Sequence, residues 1–131
     1  MNQPFLRLLT VLYLITLYTS SCTSRKKDQL APPGCYTSNM SYATDIVPIL
    51  KSNCYLCHSA GNSVGSYGHI LDNYDSLLKN YVSPYNPSES ILVFVIAQDP
   101  NFPAMPYMKP KLDSCSIHQI IAWINQGALN N

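Results

Sequence analysis

Five consecutive residues, Cys54-Tyr55-Leu56-Cys57-His58, put two thiols and an imidazole on one short piece of chain. Two cysteines two residues apart with a histidine directly after the second form the C-x-x-C-H pattern of c-type haem attachment. On one turn, that spacing lets both thiols add to the two vinyl groups of one porphyrin while His58 meets the iron as its proximal ligand. The same residue types also fit a redox dithiol or half of a zinc site. A redox dithiol wants a strand-to-helix context of thioredoxin type, and a zinc site wants a second ligand pair. Neither is evident in the sequence.

An iron held by His58 alone has an open face. Met105, within Pro103-Ala104-Met105-Pro106, is the first candidate to fill it. A thioether is a soft, neutral ligand that favours ferrous iron and raises the potential, which suits one-electron transfer. The flanking prolines restrict the loop around the sulfur. Met108 is the alternative, although a methionine among aromatics is more often core filler than ligand. A histidine or an open site is the third option. His69, in a glycine-rich stretch, and His118, next to Ile117, read rather as surface or structural histidines, and Met40 falls in a polar segment far from the motif.

What carries these residues is a chain of 131, 47% hydrophobic and 11% charged, with a formal charge of +1, a length that suits one domain. Arg7 is the sole charge before an apolar run from Leu8 to Leu17, which is too short to span a bilayer and reads as a signal peptide. The run ends in Thr19-Ser20-Ser21-Cys22. Small residues before a cysteine resemble the lipobox of bacterial lipoproteins, with Thr19 where leucine is usual, and Cys22 would become the lipid-bearing N-terminus. An ordinary secretory signal and an uncleaved anchor are the alternatives. Arg25-Lys26-Lys27 reads as a solvated linker rather than a headgroup-binding patch.

The division that follows is a signal peptide over 1–21, a tether over 22–40 that includes Pro32-Pro33-Gly34, and a globular domain over 41–131. From Ala31 onward the bases are Lys51, Lys79, Lys109 and Lys111 against six acids, which excludes nucleic-acid binding. A core of some ninety residues is marginal by itself. A covalent haem would serve as its centre.

The positioning elements read as helices. The first runs from about Thr44 to Lys51, capped by Thr44 with Asp45 at the positive end and Pro48 in the first turn. It delivers the chain into the C-x-x-C-H motif, and the glycine- and serine-rich run from Ser59 to His69 follows as a loop. A second helix spans about Tyr74 to Tyr81, started by Asp72 or Asn73. Ser90 to Ala97 has the β-branched look of a strand, but Ser88 as a cap and Glu89 in a first turn favour a short helix. Pro100, Pro103, Pro106 and Pro110 exclude helix and central strand between Gln98 and Asp113. In the last helix Asp113 is the cap, Ile117, Ile120, Ile121 and Ile124 share a face beside Trp123, and Gly127 is the stop.

Taken together, from about Tyr42 onward the chain resembles a small class I cytochrome c domain of the lipid-anchored bacterial envelope type. The residues that carry the likeness are Asp45-Ile46-Val47-Pro48-Ile49-Leu50 before Cys54-Tyr55-Leu56-Cys57-His58, then Met105-Pro106, Lys111-Leu112 and Trp123-Ile124 with Gly127-Ala128. The resemblance implies an all-α fold of about four helices wrapped around one haem c, with the first and last helices crossing near one haem edge. It matches Cys54 and Cys57 to the thioether cysteines, His58 to the proximal ligand and Met105 to the distal one. A dihaem peroxidase would need a second C-x-x-C-H. Cys35 and Cys115 have no part in the haem, and export makes a disulfide between them the expectation, with two separate thiols as the alternative. The function expected is electron transfer with redox proteins of the envelope, not catalysis, from a periplasm-facing position on a lipid bilayer. A ligand-binding or sensing haem module is the alternative.

Overall fold

In the computed structural model, which describes residues 31–62 and 67–131, the first helical stretch starts at Ser41 and not at Thr44. The Ser41 hydroxyl accepts from the Thr44 N–H at 3.3 Å, and the Asp45 carboxylate accepts from the Ser41 N–H at 2.7 Å. These reciprocal bonds give partners to two backbone donors that a helix start leaves open, which a cap at Thr44 would not do. A π-helical turn, Tyr42–Ile46, leads into α1, Val47–Asn53, and Pro48 lies in its first turn, where a missing donor is harmless. The signal peptide over 1–21, the lipidation residue Cys22 and the basic run at 25–27 lie outside the described residues.

Helix α2, Tyr74–Tyr81, is capped by Asn73, whose side chain accepts from the Ser76 N–H. Helix α3, Ile91–Ala97, takes up the β-branched run, and Leu92 and Ile96 are buried one turn apart. Ser88 does not cap it. A 3-10 turn, Pro87–Glu89, intervenes, and the buried Ser90 hydroxyl accepts from the Ser83 N–H at 2.9 Å and donates to the Asn86 carbonyl at 3.0 Å. Helix α4, Ser114–Asn125, begins at the Asp113 cap and buries Ile117, Ile120, Trp123 and Ile124. Among the described residues there are four α-helices and no strand, and no helix is long and apolar enough to cross a membrane.

The core joins the two ends of this unit. Tyr42 stacks on the fully buried Trp123 at 5.4 Å between ring centroids and meets Tyr74 edge-on at 5.0 Å. The Trp123 indole donates to the Leu129 carbonyl at 3.0 Å, so the chain after α4 is folded back against it. Gly127, at φ +99°, makes that reversal. Asn131 then accepts from the N–H groups of Tyr42 and Ala43 and from the Ser41 hydroxyl.

The packed unit begins at Ala31, earlier than the Ser41 boundary read from the sequence. Met40 is only 2% exposed, and its N–H donates to the Gln126 side chain at 2.8 Å. The Gln126 side-chain amide in turn donates to the Thr37 carbonyl at 3.0 Å. Cys35 is bonded to Cys115 in the first turn of α4, with the two Cα atoms 5.5 Å apart. An apolar residue seeking the core, a side-chain amide that satisfies the backbone on both sides of it, and a covalent tie fix the arm to α4.

Candidate functional site

The end of α1 forms the site. Its carbonyls carry the helix into the motif, since the Leu50 carbonyl accepts from the N–H groups of both Cys54, at 2.7 Å, and Tyr55, at 3.1 Å. One further turn closes on the Cys54 carbonyl, which accepts from Cys57 at 3.1 Å and from His58 at 2.8 Å. Both thiols and the imidazole therefore sit on a single turn.

Cys54 and Cys57 are free thiols, in contrast to Cys35 and Cys115. Cys57 is exposed and Cys54 is half-buried, and burial pushes the Cys54 thiol up to about 11. The pair also follows the C-terminus of α1, the negative end of its dipole, where a thiolate is disfavoured. Redox dithiols use the opposite arrangement, a helix N-terminus and a depressed thiol pKa. Among the described residues, no group of three or more His, Cys, Asp or Glu side chains could hold a metal ion, so Cys54, Cys57 and His58 do not themselves form a zinc-like cluster.

The His58 ring is oriented from behind. Its Nδ1 lies 3.0 Å from the His69 carbonyl. A carbonyl can only accept, so Nδ1 carries a proton, and in the neutral ring Nε2 keeps its lone pair, the arrangement that fixes the tautomer of a metal-binding histidine. The loop that supplies this carbonyl is closed at its base. The Leu71 N–H donates to the His58 carbonyl at 2.8 Å, and the Ala60 N–H donates to the Asp72 carboxylate at 3.0 and 3.1 Å to its two oxygens. On the α2 side the Ser76 hydroxyl donates to the Ile70 carbonyl, and the His69 ring Nδ1 lies 2.8 Å from the Tyr81 hydroxyl. His118 bonds through Nδ1 to the Ser114 carbonyl of its own helix at 2.6 Å.

Met105 and Met108 have different surroundings. Met105 is half-buried, and its N–H donates to the Val95 carbonyl near the end of α3 at 3.0 Å. Met108 is 88% exposed with φ +53°. The loop otherwise has the irregular course that its four prolines dictate, with a cis bond between Met105 and Pro106. Among the described residues no hydrogen bond joins the His58 turn to the Met105 loop. The turn is held by α1 and by the residues leading into α2, and the loop is held by α3.

Inside the motif, Tyr55 faces Tyr42, and burial raises both phenols above their ordinary range. Sequence reasoning missed the His69 carbonyl, Asp72 and Gln126. A carbonyl has no residue signature, and Asp72 reads from the sequence only as a helix start. No protein-family model, curated protein or solved structure matches this chain.

Proposed function

We propose that the chain carries a single haem c in a small cytochrome c fold and moves single electrons between redox proteins of a bacterial envelope. One observation carries the reading. Directly after two thiols that are not bonded to each other stands an imidazole whose Nδ1 is engaged by the His69 carbonyl, leaving Nε2 as its free donor. This donor set fits a haem better than a dithiol, whose reactivity the raised Cys54 thiol opposes, and better than zinc, for which further ligands are lacking among the described residues.

Cys54 and Cys57 would hold the macrocycle by thioether bonds, with His58 as proximal ligand. The group supplies reversible one-electron chemistry when bound. The loop base from His58 to Asp72 keeps the imidazole at one angle, so that little rearrangement accompanies a change of charge. Met105 is the distal ligand in this reading and Met108 is not, because the backbone of Met105 is anchored to α3 while the Met108 side chain stands in solvent. Export by the 1–21 signal, a lipid on Cys22 and an oxidising compartment go together with the Cys35–Cys115 disulfide, which is at home on the periplasmic side.

A second reading, a haem module that binds or senses a small ligand, draws on one feature. Among the described residues the Met105 loop shares no hydrogen bond with the His58 turn, so the sulfur can leave without disturbing the proximal side. Absorption spectra of the protein exported with haem-attachment machinery separate the two. Electron transfer predicts a low-spin ferric spectrum with the far-red band of methionine sulfur on iron, lost in Met105→Ala and kept in Met108→Ala. Rapid carbon monoxide binding to the reduced protein favours the sensor, and a protein that takes up no covalent haem rules out both.

A further inference from the structure

We propose that Phe94 and Phe102 form a latch that holds the distal-ligand loop against α3 and so sets how readily Met105 gives way to another ligand. The inference rests on the reading of Met105 as the distal ligand, and concerns what keeps it there. Gln98, in the left-handed conformation at φ +54°, ends α3 and turns the chain back. The Asp99 side chain accepts from the Asn101 N–H at 2.9 Å, and the Phe102 N–H donates to the Asp99 carbonyl at 3.0 Å. This tight turn lays the Phe102 ring on Phe94, with 4.6 Å between centroids and 6° between planes. Three residues later the Met105 N–H reaches the carbonyl of Val95, the neighbour of Phe94. Residues 94 and 95 thus grip residues 102 and 105.

Farther along, the Gln98 side chain holds the loop, donating to the Lys109 carbonyl at 3.4 Å. Tyr107 and Met108 project into solvent. Among the described residues the stack is the one aromatic pair between α3 and the Met105 side of the loop, and such pairs contribute beyond the area they bury. Phe94 and Phe102 are positioning residues acting through Met105. An external ligand can bind only when Met105 is off, so its apparent affinity scales with the fraction of molecules whose loop is released.

The test titrates the ferric holoprotein with imidazole and records the far-red methionine band. Phe102→Ala is expected to keep its covalent haem, since Cys54, Cys57 and His58 lie on another element, and to bind imidazole about tenfold more tightly than wild type, equivalent to about 1.4 kcal/mol. Phe102→Tyr, which keeps the ring, restores the wild-type value, and Tyr107→Ala, on the exposed part of the same loop, leaves it unchanged. Where Phe102→Ala does not fold, Phe102→Leu, which keeps apolar bulk but loses the ring stack, serves in its place, with a shift in the same direction of about twofold. A wild-type protein without the methionine band overturns the distal assignment and the latch together. A normal band in wild type with equal imidazole affinities in wild type and Phe102→Ala overturns the latch alone.

Discussion

Removing the Cys35–Cys115 bond, by Cys35→Ser together with Cys115→Ser, tests how the unit Ala31–Asn131 is held. The cysteines are 80 residues apart in sequence. Closing a loop of that length in the unfolded chain corresponds to about 4.5 kcal/mol at 25 °C by the chain-entropy relation. The folded state loses little else, because Met40 remains buried and the Gln126 amide still holds the backbone at Thr37 and Met40. Nearly all of the effect therefore comes from the unfolded side. For a unit of about a hundred residues, 1 kcal/mol moves the melting midpoint by about 4–8 °C, so a fall of about 18–36 °C is expected. Far-ultraviolet circular dichroism of the holoprotein during heating and urea titration would measure it, with the reduced wild type as a second route to the same state. A difference below about 1 kcal/mol would refute the reasoning, since the unfolded chain would then already be as restricted as the bond makes it.

Other perturbations follow from single sites. In haem-free protein, iodoacetamide at pH 8 should label the exposed Cys57 well before Cys54, whose thiol at about 11 is ionised to only about one part in a thousand; mass mapping of both sites reads the order, and equal labelling would contradict it. Gly127→Ala should cost about 1–3 kcal/mol, because a side chain at φ +99° is strained and its Cβ would lie 2.7 Å from the Tyr85 ring. Adding Tyr85→Ala, measured by the same denaturation, should relieve the contact and leave the strain. Asp113 is held below the usual carboxylate range by the hydroxyl and N–H of Ser116. Its folded pKa is depressed, so its contribution is complete above the unfolded value of about 4 and is lost as pH falls through the folded one. Asp113→Asn should flatten stability over that acid window while keeping the cap, and Asp113→Ala should cost about 1 kcal/mol near neutrality.

Some of this architecture was legible because the information is local. Cys54, Cys57 and His58 are contiguous, and Ile117, Ile120 and Ile124 repeat at helical spacing behind an aspartate cap. Other parts depend on partners far away in sequence. Residues 31–40 show no hydrophobic period, and what packs them is a single methionine together with Gln126 and Cys115 from α4. Ser41 replaces Thr44 as the cap because Asp45 can reach back to it, a contact that the sequence reading of Thr44 as the cap did not include. The β-branched run in α3 was ambiguous between strand and helix until its neighbours supplied a face for Leu92 and Ile96. The orientation of His58 was not legible at all, because it depends on a carbonyl that any residue at position 69 would supply.

The bond between Cys35 and Cys115 also turns the stretch between them into a closed ring. Both the His58 turn and the Met105 loop lie inside it. A protease that cuts the exposed segment around Tyr107 or Lys109 opens the backbone but releases no fragment, because the piece that carries His58 and Met105 stays bonded through Cys35 to the piece that carries α4. Clipped and intact chains would run together on a gel without reductant and part only when it is added. A preparation that looks whole under oxidising conditions can therefore contain molecules nicked between Met105 and α4.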